Sequence, residues 1–438
     1  MLQRTAGRGP NRNEEGAGAR RPYRGTGLII LCVALAVGMC QSAVAATLCV
    51  NPGGTSGCFS TITAAVAAAS IHDNIKVASG TYKEDVIIGK ALSLIGSSSS
   101  NTIIDATGLS NGIYIDGIDN PGLSNVLVTG FTIENANFEG ALITNTSSSL
   151  VYGNRVINND KSLIIASDTC PGQPSFETSE GDDCGEGIHL IGVDHSTISN
   201  NTVQGNSGGI LLTDETLTTH DNLISGNTVL NNPYDCGITL ASHPPASGPT
   251  PLGVIHNTIA NNESSHNGYL VPGAGAGVGI FTFLPGGTVS GNVVINNQLT
   301  NNGLPGVAFH SHGTGESLND NLIVGNTISG NGPDTLDAVT PGPTGINVFG
   351  VSAISGTIIS QNIIDSEQLD IVINTPVEVQ ANLNNFLDAE FGVDNIGTAG
   401  SANAPENWWG CSGGPLVSAC SQPGGLNVLF VPWLTAPF

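Results

Sequence analysis

The stretch ISNNTVQGN (Ile198–Asn206) returns almost unchanged as ISGNTVLNN (Ile224–Asn232) and IVGNTISGN (Ile323–Asn331). Each copy has a β-branched residue, an Asn three residues later, another β-branched residue two further on, and then a second Asn. The chain carries seven such copies between Val151 and Ile364, which we align on Asn154, Asn201, Asn227, Asn257, Asn292, Asn326 and Asn362. Short β-branched runs separated by Asn-containing turns indicate strands and turns rather than helices.

The repeat length predicts the architecture. From Asn201 onward the copies are 26 to 36 residues apart, which is too short for one domain per copy and typical of a solenoid, here a parallel β-helix. We expect the Ile/Val columns to face inward and the Asn columns to form ladders, each side-chain amide bonding to the next coil. A buried amide without a partner costs about 1–3 kcal/mol, so a single Asn replacement should also destabilise the neighbouring coils.

A second marker, a Gly followed by a strand, predicts where a binding surface lies. It occurs at Gly187, Gly209, Gly237, Gly279, Gly306 and Gly345. The length differences between coils fall just before or just after this strand. Loops therefore flank one strand face, and such loops usually build the binding surface of a solenoid.

The N-terminus indicates export. Three Arg residues within 20–24 precede the apolar run 28–39 and a small-residue cleavage site at 43–45, the pattern of a signal peptide. The apolar run is short for a membrane span, with a retained signal-anchor as the alternative, and translation of residues 1–24 is left open. We divide the chain into leader and signal peptide (1–45), parallel β-helix (46–395) and C-terminal cap (396–438). We expect no membrane span in the mature chain, a monomer, and a secreted, periplasmic or cell-surface location.

Charge and cysteines agree with this compartment. The formal net charge is −24, and no Lys or Arg follows Lys161, so nucleic acid and anionic lipid are poor partners. Cysteines that lie close together in the sequence predict local disulfides of an oxidising compartment. The predicted pairs are Cys49–Cys58, Cys170–Cys184 and Cys411–Cys420, which leave Cys236 as a buried thiol.

Both ends of the mature chain resemble a known group. TITAAVAAAS (61–70) with IKVASGTYKEDVIIGKALSLIG (75–96) looks like the opening coil of the pectin-lyase-like superfamily of exported right-handed β-helix proteins. ENWWGCSGGP (406–415) with VLFVPWL (428–434) resembles a closing segment of its bacterial members. The expected fold is an all-β, right-handed parallel β-helix, with a short N-terminal capping helix over 61–69 and a disulfide-pinned C-terminal cap. The superfamily includes lyases, hydrolases, esterases, epimerases and non-enzymatic binding proteins, so the resemblance implies a fold and not an activity.

The insert 168–186 is the densest group of carboxylates. Oxygen-rich loops suit Ca²⁺, and the calcium candidates are Asp168, Glu180, Asp182 and Asp183. Two carboxyls are also what glycoside hydrolysis requires, and the catalytic candidates are Asp182, Asp183, Glu186 and His189. The alternative is a solvated, disulfide-closed loop with neither role.

The Gly-marked strands supply a different candidate site. Alternation along these strands points aromatic and His side chains outward, and the predicted carbohydrate-binding residues are Phe281, Phe283, His310 and Phe349. The alternative is that the flanking loops pack over these rings. His310 and His312 lie on the same side of their strand, but the sequence offers no clear third ligand, so these two residues alone do not define a metal site. The mature chain has no Met, which argues against a soft copper site.

Two functions remain open on the sequence. The leading hypothesis is a non-catalytic carbohydrate-binding or cell-surface structural module whose partner is a polysaccharide or cell-surface glycan. Its rival is a polysaccharide-active hydrolase or lyase that acts through carboxylates of the 168–186 insert with His189, Arg155 or Lys161. Neither the identity of the glycan nor catalysis itself follows from the sequence.

Overall fold

The structure is a computed structural model that describes residues 45–438 except 166, 168, 179–183, 244–251, 272–273 and 283. The predicted leader and signal peptide lies outside the described residues apart from Ala45. No helix in the described part of the chain is long and apolar enough to cross a membrane.

Within these described ranges the chain is a solenoid of three long parallel sheets and one short parallel sheet. Sheet 1 has strands Thr47–Val50, Asn74–Val77, Ser93–Gly96, Leu127–Thr129, Leu150–Tyr152, Thr197–Ser199, Leu223–Ser225, Thr258–Ala260, Val293–Ile295, Leu322–Val324, Ile358–Ser360, Glu378–Asn382, Ser401–Asn403 and Val428–Leu429. Sheet 2 has strands Val86–Ile88, Ile113–Asp116, Ala141–Thr144, Glu186–Ile191, Gly208–Thr213, Ile238–Ser242, Val278–Thr282, Val307–Ser311, Thr344–Gly350, Leu369–Asn374, Phe391–Asn395 and Gln422–Gly425. Sheet 3 has strands Gly80–Tyr82, Thr102–Asp105, Thr132–Glu134, Arg155–Ile157, Thr202–Gln204, Thr228–Leu230, Glu263–Ser265, Gln298–Thr300, Thr327–Ser329, Ile363–Asp365 and Asn385–Phe386. Sheet 4 has strands Thr219–His220, Val254–Ile255 and Val289–Ser290.

The core is built from columns of aliphatic side chains, one from each sheet. In sheet 1, Ile198 pairs with Ile224 and Ile224 with Ile259, and all three are fully buried. Burying each such side chain stabilises the fold by roughly 1.5–3 kcal/mol. The predicted all-β parallel solenoid with inward Ile/Val columns is confirmed.

Buried Asn side chains form three hydrogen-bonded ladders along the solenoid. In each step the side-chain amide of one Asn donates to the Oδ1 of the Asn in the next coil. The first ladder contains Asn154, Asn201, Asn227, Asn262, Asn297, Asn326, Asn362, Asn384 and Asn407. The second contains Asn159, Asn206, Asn232, Asn267, Asn302 and Asn331 and ends on Glu367. The third contains Asn222, Asn257, Asn292 and Asn321.

Each ladder Asn follows a residue that turns the corner of the coil. Asn200 before Asn201 has φ 53°, and Gly226 before Asn227 has φ 64°. This left-handed region is strained for most side chains but is tolerated by Gly and, to a lesser extent, Asn. The Asn-Asn and Gly-Asn pairs of the sequence therefore mark the corners.

The sequence alignment was wrong for two of the seven copies. Ile259, and not Val254, pairs with Ile224 in sheet 1, while Val254 lies in sheet 4. The first-ladder residues of these two coils are therefore Asn262 and Asn297, and Asn257 and Asn292 belong to the third ladder. One Gly marker shifts as well, because Val278 pairs with Val307 and the Gly before it is Gly277 rather than Gly279.

The N-terminal end is covered by helix α1 (Ile62–Ala68), as predicted. Thr61 caps it, with its side chain accepting from the Ala64 N–H. The Glu84 carboxylate accepts from the Ile62 and Thr63 N–H groups, both at 2.8 Å. Glu84 therefore stabilises the N-terminus of the capping helix.

The C-terminal end is sealed by aromatic rings. Trp409 is fully buried and lies 5.1 Å from Phe386, centroid to centroid. A short 3-10 helix, Gly414–Leu416, follows. Sheets 1 and 2 gain strands beyond residue 395, so the placement of the cap boundary there stays a prediction. The structure contains all three expected disulfides, Cys49–Cys58, Cys170–Cys184 and Cys411–Cys420, and Cys236 is a buried free thiol.

Candidate active site

Sheet 2 carries a concentrated group of buried polar side chains on its outward face. We define the acidic pocket as Glu139, Glu177, His189, Glu215 and His243. His189 lies within the strand Glu186–Ile191, and Glu139 comes two residues before the strand Ala141–Thr144. Glu215 and His243 follow the ends of two neighbouring strands, and Glu177 comes from the insert. The pocket therefore spans four coils and one loop.

Hydrogen bonds fix the two histidines. His189 has its Nε2 2.9 Å from Thr213 Oγ1 and its Nδ1 3.4 Å from Glu139 Oε1. The Nδ1 of His243 lies 2.8 Å from Glu215 Oε1. Ligand-type atoms of Glu139, Glu177 and His189 all lie within 4.8 Å of one another. Five titratable groups thus converge on one small volume.

Asp214 stabilises the backbone around His243 through hydrogen bonds. Its carboxylate accepts from the His243 N–H at 2.8 Å and from Ser242 Oγ at 3.0 Å. It also accepts from the backbone N–H groups of Leu252 and Gly253. These bonds hold the segments on both sides of the loop after Ser242, which sets the position of His243.

The carboxyls of the pocket have opposite protonation preferences. Burial, together with the neighbouring Glu139 and Glu215, raises the pKa of Glu177 to about 10. Burial opposes ionisation of Glu215 too, but the charge and hydrogen bond of His243, with help from His189 and Thr213, lower the pKa of Glu215 to about 2. At neutral pH Glu177 is therefore protonated and Glu215 is ionised.

Four buried carboxyl oxygens of the pocket have no hydrogen-bond partner among the described residues. They are Oε2 of Glu139, Oε2 of Glu215 and both oxygens of Glu177. The side chains of Glu139 and Glu215 are 1% and 0% exposed. A buried acceptor without a partner is costly, and such groups mark places where a ligand atom completes the bonding.

The predicted catalytic residues are only partly described. His189 lies in the pocket. Glu186 opens the same strand and is fully buried, and a Cβ on Gly208 would lie 2.2 Å from its carboxylate, so the missing side chain of Gly208 makes room for it. Asp182 and Asp183, together with the calcium candidates Asp168 and Glu180, lie outside the described residues, so a Ca²⁺ site there stays a prediction.

The sequence offered two cationic residues as possible catalytic partners, and Arg155 lies on sheet 3 rather than on sheet 2. It is exposed and opens the strand Arg155–Ile157 of sheet 3, where it pairs with Thr132 and Thr202. Lys161 is exposed, and its charge partly offsets the rise that burial causes in the pKa of Asp160.

Sequence reasoning missed Glu139, Glu215 and His243. Glu139 could have been found, because Gly140-Ala141 is a further copy of the Gly marker: Ala141 pairs with Ile188, and Glu139 takes the coil position of Glu186. Glu215 and His243 lie just after strand ends, where alternation no longer tells the direction of a side chain.

The predicted sugar-binding rings form a packed cluster further along sheet 2. Ala241, Phe281, His310 and Phe349 are direct partners on four neighbouring strands. Phe281 stacks on His310 with centroids 4.8 Å apart. It is only 7% exposed, because it packs with Leu211, Cys236, Ala276, Leu304 and Ala308. Phe281 and His310 are therefore buried, as in the alternative that the rings are covered, and their role in carbohydrate binding stays a prediction. Phe349 is half-buried, and Phe283 lies outside the described residues.

Comparison with known proteins agrees with this fold. A family profile described as "Right handed beta helix region" matches residues 84–321, more than half of the chain. The chain therefore belongs to the right-handed β-helix family, and the resemblance to pectin-lyase-like proteins is confirmed at the level of the fold. A search of curated proteins finds no match.

Solved structures of the same architecture come from phage proteins, among others. The ORF18 protein of Geobacillus virus E2 is 13% identical with a TM-score of 0.51, covering 82% of this chain and 62% of its own. The Dettilon tailspike protein gp208 is 15% identical with a TM-score of 0.50, covering 87% and 68%. Tailspike gp49 from Acinetobacter baumannii bacteriophage Fri1, a capsular polysaccharide depolymerase, is 11% identical with a TM-score of 0.43, covering 84% and 58%. Identities this low show the fold alone, and the chain spans about three fifths of the first of these proteins.

Proposed function

We propose that this protein is a polysaccharide hydrolase that cleaves glycosidic bonds in the acidic pocket. The observation that carries the proposal is the placement of two buried carboxyls in different surroundings: Glu177 lies beside Glu139, and Glu215 lies 2.8 Å from the Nδ1 of His243. These surroundings raise the pKa of Glu177 and lower the pKa of Glu215. A protonated and an ionised carboxyl in one site are the acid and base that glycoside hydrolysis needs. Glu177 donates its proton to the glycosidic oxygen as the bond to the anomeric carbon breaks.

Glu215 acts on the opposite side of the reaction. Its carboxylate either adds to the anomeric carbon or takes a proton from the attacking water, and the distance between the carboxyls in the bound state decides which. His243 keeps Glu215 ionised, and His189 links Glu139 to Thr213. Oε2 of Glu215, which has no partner among the described residues, is the atom left for this role.

Hydrolysis fits the pocket better than β-elimination with an Arg or Lys base. The chain has no Lys or Arg after Lys161, and Arg155 opens a strand of sheet 3 rather than of sheet 2. Lys161 is exposed, and its charge acts on Asp160. The described strands of sheet 2 therefore supply no Arg or Lys base.

The substrate class follows from charge. Acidic groups dominate the pocket, and the formal net charge of the chain is −24. A polyuronate would be repelled by this field, whereas a neutral polysaccharide would not. We therefore expect neutral chains to be the substrate.

The test is turnover by Glu177→Gln and Glu215→Gln on a panel of neutral and acidic polysaccharides, with Ca²⁺ and with a chelator. General acid–base groups contribute roughly 10²–10⁴-fold, so each variant should lose at least about 100-fold in the release of reducing ends while still binding the glycan. Glu263→Gln is the matched control, since Glu263 is exposed on sheet 3. Full activity in both pocket variants, or products that absorb as unsaturated uronates, would overturn the proposal.

Non-catalytic glycan binding is the second candidate, supported by the aromatic cluster of Phe281, His310 and Phe349 on the same sheet. Because Phe281 is buried, its replacement tests packing, and Phe349→Ala is the better probe of contact with a sugar. Retention on insoluble glycan that falls in Phe349→Ala, with no turnover on any substrate, would favour this candidate.

A further inference from the structure

A second polar cluster lies on sheet 2 beyond the acidic pocket. It contains His310 and His312 from the end of the strand Val307–Ser311 and just after it, and Asp334 and Asp337 from the loop before the strand Thr344–Gly350. His312 Nε2 lies 3.0 Å from Asp337 Oδ1, and His310 Nδ1 lies 3.4 Å from Asp337 Oδ2. Side chains of His312 and Asp337 are 34% and 29% exposed, so solvent reaches the cluster.

The Nε2 nitrogen of His310 is hydrogen-bonded to Asp334. His310 Nε2 lies 2.8 Å from Asp334 Oδ2, and Asn347 donates to the same oxygen at 2.7 Å. The N–H groups of Asp337 and Ala338 also donate to Asp334, which fixes its carboxylate. A neutral His310 therefore carries its proton on Nε2 and directs the lone pair of Nδ1 at Asp337.

His312 is arranged in the same way with a different acceptor. Its Nδ1 lies 3.1 Å from the backbone oxygen of Thr282, which can only accept a hydrogen bond. A neutral His312 therefore donates from Nδ1 and directs the lone pair of Nε2 at Asp337. Two lone pairs and a carboxylate then face one another, an arrangement that becomes favourable when a metal ion lies between them or when the rings are protonated.

We propose that His310 Nδ1, His312 Nε2 and the Asp337 carboxylate bind a divalent transition-metal ion, with Zn²⁺ the best match. One potential ligand atom from each of the three residues lies within 4.8 Å of the other two, and the two His–Asp337 distances of 3.4 and 3.0 Å are close to the roughly 3.3 Å between ligand atoms that tetrahedral bonds of about 2.0–2.1 Å require. An imidazole whose other nitrogen bonds a carboxylate or carbonyl is the usual form of a metal-binding His. Three protein ligands at a half-exposed position leave a fourth for water.

The third ligand could not be read from the sequence. Asp337 lies 25 residues after His312, in a loop whose return to the strand end depends on the hydrogen bonds of Asp334. The pair His310 and His312 therefore looked incomplete.

The competing explanation is that protons replace the metal. Both rings would then be imidazolium ions, held by Asp334 and Asp337, with Glu316 adding negative charge near His312. At pH 7.5 the metal explanation predicts that the protein binds Zn²⁺, and the proton explanation predicts that it does not.

The experiment is calorimetric titration of the chelator-treated, untagged protein with Zn²⁺ at pH 7.5, together with the visible spectrum of the Co²⁺-loaded protein. We expect one Zn²⁺ bound by the cluster and a tetrahedral Co²⁺ spectrum. His312→Ala and Asp337→Asn should each weaken that binding by at least about 100-fold, and Asp334→Asn, which only orients His310, by roughly 10–100-fold. His266→Ala is the control, because His266 is exposed and contacts Ser265 rather than the cluster.

A second surface group, His195, His220 and Asp221, also brings potential ligand atoms together, so His195→Ala is titrated in parallel. Retention of the Co²⁺ spectrum in His195→Ala with its loss in His312→Ala supports the proposal. The proposal is overturned if the wild type binds no Zn²⁺, if His312→Ala and Asp337→Asn bind as tightly as the control, or if only His195→Ala loses the ion.

Discussion

His243 is the residue that keeps Glu215 ionised in a buried position. Their Nδ1–Oε1 distance is 2.8 Å, and both side chains are almost fully buried. Burial alone would raise the pKa of Glu215, and the charge and hydrogen bond of His243 reverse that effect. The protonation state of one glutamate thus depends on one histidine.

His243→Gln should therefore move the acidic limb of the pH–rate profile to higher pH by about 1–2 units, since loss of an adjacent charge partner shifts a buried carboxyl by this order. The alkaline limb, set by Glu177 with its pKa of about 10, should move far less. The measurement is kcat/KM against pH on the best neutral glycan, with His266→Gln as control. An acidic limb that stays in place would show that His243 does not control Glu215.

The site could be predicted from the sequence only in part, for reasons visible at single residues. Alternation correctly placed His189 and Phe281 on the outward face of sheet 2. Alternation gives direction but not what covers a side chain, so it could not show that an apolar cluster buries Phe281. Glu177 meets Glu215 only because the insert folds back over the sheet, where Thr178 N–H donates to Glu215 Oε1 at 3.4 Å.

At the scale of structural elements, the Asn ladders are the main polar support of the solenoid. Asn262 accepts from the N–H and Nδ2 of Asn227 and donates to Asn297 and to the Ile224 carbonyl. Asn262→Ala leaves these buried partners without bonds, and each costs about 1–3 kcal/mol. We expect the free energy of unfolding to fall by roughly 2–5 kcal/mol, measured by urea denaturation.

Asn261→Gly is the matched control for this change. Asn261 is exposed and has φ 55°, a conformation that Gly adopts without strain. Its replacement keeps the corner and the ladder, so stability should change by less than about 1 kcal/mol. Equal losses in both variants would mean that the ladder bonds contribute little.

The second ladder ends on a carboxyl instead of an amide, which makes stability depend on pH. Glu367 Oε1 accepts from the N–H and Nδ2 of Asn331, and burial, with a smaller effect of Asp365, raises the pKa of Glu367 to about 7. Between pH 4.5 and 7 the folded chain keeps a proton that the unfolded chain has released, so stability falls as the pH rises through this window. The contribution is complete below pH 4.5 and lost above pH 7.

Glu367→Gln should abolish that part of the pH dependence. The variant should be about 1–3 kcal/mol more stable than the wild type at pH 8 and differ little at pH 4. Denaturant midpoints of both proteins at the two pH values provide the measurement. A difference between the proteins that is the same at pH 4 and pH 8 would contradict the assignment.

The ladders also show where sequence reasoning about elements reaches its limit. The motif of a β-branched residue followed three positions later by Asn occurs at several corners of one coil, for example before Asn257 and again before Asn262. Either Asn therefore fits the same alignment. Only the pairing of Ile259 with Ile224 decides the register, and that pairing depends on the length of the loops in between.

At the scale of the whole molecule, a solenoid is stabilised coil by coil, so its ends can open separately. The Cys411–Cys420 disulfide closes a loop with a sequence separation of 9 next to the buried Trp409. Replacing both cysteines by Ser should cost roughly 2–3 kcal/mol, and the loss should be confined to the last coils. Amide exchange is then expected to quicken in Phe391–Asn395 and to stay slow in Val278–Thr282; uniform loss of protection would mean that the chain unfolds as one unit.

Because the strands of sheet 2 stack at a regular spacing, distances along the solenoid axis are multiples of one strand spacing. Three steps separate the strand of Thr213, beside the acidic pocket, from that of His310, a distance of about 14 Å at 4.8 Å per step. Evolution or an engineer can lengthen that interval only by whole coils, because a coil enters or leaves as a unit. A polymer that contacted both the acidic pocket and His310 would therefore have to span a whole number of strand spacings.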